Sequence, residues 1–392
     1  MSWFSDFFGK LFAHKQEHAK PQRPSKRLSQ QHNPPHKKQP TARTASDIKL
    51  IYPDHTLGAL LKHSPMPTPG MHSYDVNHPP ALDQKAREHL QSHINQIPPM
   101  PEIWHRVQEI LQQDDASASD LGQCVAQDPV LTAQILKVCN ASAYASSSGS
   151  EISNIPLAIA RLGLDEASSI IFQCLAPDMG NSPQRKIEIR HIWFHAQAIA
   201  MLSRILAESA RQVSRHEATL IGILHDIGKL VILHIESEQQ LNTLQDAIDQ
   251  GTPSLAAEYE TLGYTHIDAG MMLALHWRLP KHVQQSISFH HHPAIMKAHH
   301  LPEDIQHAML VLHVAHLIVQ YDFNPSDAGA KEPATGGQTS TWHHHQRSCL
   351  HDTLRFVQQE MGISLESEAF HAQLQAEIAR LKLSFPDLFA PT

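Results

Sequence analysis

The stretch GILHDIGKL, residues 222–230, decides the fold. Its apolar residues Ile223, Leu224, Ile227 and Leu230 recur at helical spacing, so the periodicity predicts a buried helix running from about Glu217 to Ile235. Set into that apolar run are His225 and Asp226. An adjacent imidazole and carboxylate are costly to bury unless something engages them. A bridging carboxylate flanked by neutral imidazole nitrogens is what a pair of divalent ions requires, whereas the structural alternative is a polar pair that cross-links helices. Lys229 lies one turn beyond Asp226 and is the candidate catalytic group, placed to attract a phosphate.

Further histidines lie on both sides of this stretch. Upstream, His195 in IWFHAQAIA sits on an expected helix from about Ile187 to Glu208. Downstream, His266 opens a helix directly after Thr265, with Asp268 completing a capping box, and His290-His291 close the helix begun at Pro280. Most of the 32 histidines, the triplet His343-His344-His345 among them, are compositional. His216, His234, His276 and His282 read as surface or supporting groups.

The surrounding segments are helical as well. Ile103, Val107, Ile110 and Leu111 share one face, and Asp128-Pro129 is an N-cap followed by proline at the first helical position. The helix after it is expected to turn Val130, Leu131, Ile135, Leu136 and Val138 towards a core. Another helix runs from Ile155 to Leu162 and stops at Gly163, after which Asp165 is expected to cap EASSIIFQCLA. Further helices are expected over 254–262, 266–277, 280–290, 305–320, 349–360 and 365–382. Trp193 and Trp277 read as core anchors, and Asp128 and Asn140 as helix-end caps. No strand-like alternation competes, so the fold class is all-α.

Composition agrees with that class. The chain has 392 residues, 41% hydrophobic but only 6% aromatic, and a net charge of -8, which excludes a protein that coats nucleic acid with a broad basic face. No DNA-reading motif is present. Cys124, Cys139, Cys174 and Cys349 are scattered without a CxxC pair, the pattern of buried thiols in a reducing cytoplasm. Residues 1–12 place Trp3, Phe4, Phe7, Phe8 and Leu11 on one face of a short amphipathic helix. Residues 13–80 read as a disordered basic and proline-rich tail and linker; over 1–45, nine Lys and Arg face only Asp6 and Glu17. An aromatic helix followed by a basic tail suits peripheral contact with an anionic inner-membrane surface. The expected organisation continues with two helical halves, 81–186 and 187–322, a low-complexity excursion at 323–347, and C-terminal helices in 348–392.

With IPPMPEIWHRVQEIL, QDPVLTAQILKVCNASAY and ISNIPLAIARLGLDEASSIIF leading into the His-Asp stretch, the chain resembles the HDOD domain over about residues 95–320. That family is a regulatory relative of the HD and HD-GYP metal-dependent phosphohydrolases. The resemblance implies a two-part helical bundle and a signal-transduction module, probing a partner protein or a nucleotide second messenger rather than turning over a substrate. His195, His225, Asp226, His266, His290 and His291 match ligand positions of the catalytic relatives. Two features depart from that pattern. Val314-Ala315-His316 stands where a VAD-like segment would supply a second carboxylate, and no GYP signature follows His291. With His316 in the set and one carboxylate left, the expectation is at most one divalent transition metal: iron, manganese or zinc. The alternative is an HD-type metal-dependent phosphodiesterase.

Overall fold

The computed structural model describes residues 74–113, 115–140, 152–180, 182–210, 212–250, 252–323 and 341–384. The amphipathic helix expected at 1–12 and nearly all of the expected tail and linker, residues 13–80, lie outside them. Sixteen α-helices and no strands occur among the described residues.

The first six helices are α1 (Gln84–Ile94), α2 (Glu102–Leu111), α3 (Ala118–Val125), α4 (Pro129–Cys139), α5 (Ile155–Leu162) and α6 (Leu164–Leu175). Their ends follow from local chemistry. The Asp128 carboxylate accepts from the N–H groups of Val130 and Leu131, with Pro129 at the first helical position. Gly163 ends α5 at φ 88°, a backbone region that disfavours side chains. Asn140 closes α4 and clamps the chain at Ile152, donating to its carbonyl and accepting from its N–H, both at 2.8 Å.

Helix α7 (Pro183–Ser209) is the spine. It packs along α8 (Arg215–Leu224), α14 (Gln306–Phe323) and α16 (Glu368–Ser384). Between α8 and α14 come α9 (Ile227–Ile235), α10 (Glu238–Asp249), α11 (Ser254–Leu262), α12 (His266–His276) and α13 (Lys281–Phe289), then short 3-10 turns at His292–Ala294 and Ala298–His300. Helix α15 (Thr341–Gln359) packs against both turns. One apolar core runs through both expected halves. At their junction Phe172 of α6 meets Trp104, Trp193 and Trp277 at ring-centroid separations of 4.9, 5.7 and 6.3 Å. Both tryptophans expected as anchors are therefore in the core, Trp277 fully buried and Trp193 partly.

Several expectations need correction. The helix expected over 217–235 is two helices that break at His225-Asp226, because Asp226 leaves the helical region at φ -103°, ψ 15°. Its hydropathy is continuous enough to pass for a membrane span, yet 78% of it is buried within the fold, so it is core. Asp165 does not cap α6. Gly163 precedes that helix, and the Asp165 carboxylate instead pairs with His216 at 2.5 Å. Val130 faces outward at 64% exposure, since the second residue of α4 projects from the helix end away from its packed side. Cys174 is exposed while the other three thiols are buried. Residues 341–347, placed in the low-complexity excursion, are the start of α15, and α10 was not expected at all.

Candidate metal centre

Two glycines bring the His-Asp break against its neighbours. A Cβ at Gly222 would stand 2.5 Å from the Ala200 backbone of α7, and one at Gly228 would stand 1.8 Å from the His266 carbonyl oxygen of α12. Only a residue without a side chain permits either approach. His225 and Asp226 therefore end one helix and begin the next at the crossing of α7, α8, α9 and α12.

All seven candidate ligands converge there, in two groups. His195, His225 and His316 offer ring nitrogens that lie within 4.8 Å of one another, and so do His266, His290 and His291. Asp226 stands between the groups. Its Oδ2 lies 3.1 Å from His225 Nε2 and 3.6 Å from His195 Nε2. Its Oδ1 lies 3.5 Å from the Nε2 atoms of both His266 and His290. His316 Nε2 approaches His225 Nε2 at 3.0 Å.

Hydrogen bonds on the far ring nitrogens orient three of these imidazoles. His225 Nδ1 donates to the Gly222 carbonyl and His290 Nδ1 to the Ile287 carbonyl, both at 2.8 Å. A carbonyl can only accept, so each Nδ1 carries a proton, and in the neutral ring Nε2 then presents a lone pair. Glu258, fully buried on α11, does the same for His266, accepting from its Nδ1 at 2.7 Å and from its backbone N–H at 2.7 Å. A carboxylate behind a metal-facing histidine is a recurrent orienting device. Glu258 was not among the residues singled out from sequence. The available signal was its place on the apolar face of α11, with Leu255 and Leu262 at helical spacing.

The electrostatics keep His195, His290, His291 and His316 neutral. Burial pushes His195 down to about 3 and His290 down to about 4, against the opposing pull of Asp226. Burial, joined by neighbouring imidazoles, also holds His291 and His316 well below the ordinary histidine range. For Asp226 burial acts to raise the carboxyl pKa, but Lys229 and the surrounding histidines outweigh it and hold the group well below the usual carboxylate range. Lys229 Nζ donates to Asp226 Oδ2 at 2.6 Å. The candidate catalytic lysine is thus ion-paired inside the centre.

These residues fit divalent metal. His266 Nε2 stands 3.3 Å from His290 Nε2 and 3.1 Å from His291 Nε2. Nitrogens each about 2.1 Å from one ion in tetrahedral or octahedral geometry stand about 3.0–3.4 Å apart. With both rings neutral, the orientations of His266 and His290 turn lone pair towards lone pair, which is unfavourable without a cation between them. Asp226 Oδ1, which faces this group, is buried and has no hydrogen-bond partner. The expectation of at most one ion therefore meets an arrangement with donors for one ion on each side of Asp226.

The HDOD domain family pattern matches residues 97–293, half of the chain. The chain is 22% identical over 229 residues to an uncharacterized protein of Treponema pallidum, covering 58% of this chain and 43% of that protein, so it spans under half the length of this curated relative. Among solved structures, an HDOD domain protein of unknown function from Geobacter sulfurreducens superposes with a TM-score of 0.55 at 21% identity, covering 78% of this chain and 99% of the other. A protein from Marinobacter aquaeolei described as a candidate signal transduction protein gives 0.55 at 20% identity, with 80% and 68% covered. One from Shewanella amazonensis described as a candidate phosphohydrolase gives 0.51 at 20% identity, with 77% and 98% covered. At these identities the structures establish the shared helical fold.

Proposed function

Because the chain belongs to the HDOD domain family, we propose that it is a regulatory module that holds divalent metal at the histidine centre and binds a partner protein or a nucleotide-type ligand without turning it over. The observation that carries this reading is the donor set. Asp226 is the carboxylate between the two imidazole groups, Glu258 engaging His266 from its far nitrogen, and His316 stands at 3.0 Å from His225 where the hydrolytic pattern calls for a second acid. Two divalent ions beside one carboxylate leave a strongly electropositive centre. Such a centre lacks the second carboxylate that would activate and orient a nucleophile. His195, His225 and His316 would hold one ion and His266, His290 and His291 the other, with Asp226 shared; iron, manganese and zinc all accept imidazole nitrogen.

A second reading, an HD-type phosphodiesterase, is favoured by the spacing of the two groups about one carboxylate. There the metal would supply an activated water, and Lys229 would offset charge developing on the phosphorus centre. The two readings separate in one assay. Full-length protein loaded with Mn²⁺ or Fe²⁺ is incubated with cyclic dinucleotides and with an activated phosphodiester. The regulatory reading expects no product above the protein-free blank. Product that disappears in Asp226→Asn would establish the enzyme instead. For residues 1–45 the proposed role is recruitment to anionic membrane, checked by liposome flotation with and without that segment; equal flotation contradicts it.

A further inference from the structure

We propose that a cavity between α4, α6, α7 and α16, away from the histidine centre, binds a ribonucleoside monophosphate. The inference specifies the nucleotide-type ligand of the proposed function and rests on that reading. The cavity encloses about 220 Å³, and none of the candidate metal ligands lines it. Helix α7 connects the two places. Arg190, Gln197 and Met201, spaced seven and four residues apart, share the face turned to the cavity, whereas His195 projects from another side of the same helix.

The lining changes in character from floor to mouth. Gln197 is its deepest polar residue, 7% exposed, and no group among the described residues hydrogen-bonds its carboxamide. A carboxamide that faces a cavity without a protein partner is open to a ligand that completes its hydrogen bonds. Two further carboxamides flank it. Gln134 lies on α4, and Gln173 on α6 donates to the Ser169 carbonyl at 3.3 Å. Each carboxamide offers both donors and an acceptor, which suits the mixed edge of a heterocyclic base. Val138, Ile170, Met201 and Leu381 supply apolar surface for the faces of such a ring.

Charged groups lie further out. Arg190 and Arg380 line the cavity from exposed positions, where a guanidinium can take phosphate oxygens. Glu166 and Glu377 can accept from ribose hydroxyls. Glu377 also holds Arg380 at 2.7 Å and Arg204 at 3.4 Å, which presets the guanidinium at the rim. An inorganic anion would leave the three carboxamides unused, and a purely apolar molecule would leave Gln197 unpaired.

The test is calorimetric titration of the full chain with AMP, GMP, CMP, UMP, their nucleosides, and inorganic phosphate. At least one monophosphate is expected to bind. Gln197→Leu should weaken it about tenfold or more. Arg190→Gln should weaken the nucleotide but not its nucleoside, and Asp226→Asn should leave the affinity unchanged. Should Gln197→Leu fail to fold by circular dichroism, Gln134→Leu and Arg380→Gln carry the same expectations for base and phosphate. Absence of binding by all four monophosphates at millimolar concentration overturns the assignment, as does phosphate alone matching the nucleotide. Binding lost in Asp226→Asn but kept in Gln197→Leu would move the ligand to the histidine centre, which sinks this cavity and leaves the regulatory reading standing.

Discussion

The histidine centre and the α4–α6–α7–α16 cavity share helix α7 but are built on opposite plans. At the centre, helices are drawn together by Gly222 and Gly228 until rings from α7, α8, α12, α14 and the end of α13 nearly touch, and ring nitrogens converge on one aspartate. At the cavity the helices stand apart, and carboxamides, arginines and glutamates face open space. The first arrangement suits an ion and the second a small polar molecule. On the readings proposed above, a single chain separates metal holding from ligand binding.

The contrast breaks most severely at Gly228. Gly228→Ala puts a methyl group into the His266 carbonyl oxygen, and urea unfolding should show a loss of at least about 3 kcal/mol. The cavity tolerates change better, so Gln197→Leu should fall within about 1 kcal/mol of the parent, because it removes an unpaired carboxamide.

Acid should act on the centre before it acts on the cavity. His195 and His290 have folded-state pKa values of about 3 and about 4, below the ordinary 6.5. The unfolded chain therefore binds their protons first, so the stability they contribute is present above pH 6.5 and is lost as pH falls towards 4. Each such imidazole adds a slope of about 1.4 kcal/mol per pH unit in that window. Asp226, also depressed, extends the loss below the ordinary carboxylate range. Chemical denaturation of metal-free protein across pH 4–7 checks this; a flat profile would contradict the neutral, buried imidazoles.

A finer division lies within the centre. Glu258→Gln keeps the shape but weakens the hold on His266, and should lower affinity for the ion on that side about 10–100-fold while sparing the His195 side. Competition with a chromogenic chelator would resolve the two affinities, and equal loss at both would contradict the division.

The candidate ligands were legible because an imidazole inside an apolar helical run has few bland explanations, and the order of His195, His225-Asp226, His266 and His290-His291 carries the family pattern. Their division into two groups was not legible, since it depends on which side of Asp226 each ring approaches. The break at residues 225–226 was hidden by continuous hydropathy from 215 to 235. Helix α10 has few apolar residues, so periodicity does not mark it, although the Ser237–Gln240 capping box marks its start. The cavity had no sequence signature, because its lining comes from four helices spread over some 250 residues. Val130 shows the limit of periodicity at a helix end, where the direction of the first turn is set by the neighbouring element.

Metal content of untagged full-length protein tests the central claim most directly. The account predicts two divalent ions per chain by elemental analysis, about one after His195→Ala and none after Asp226→Ala, each variant remaining helical. Fewer than about one ion for every two chains after incubation with Mn²⁺, Fe²⁺ or Zn²⁺ would contradict it.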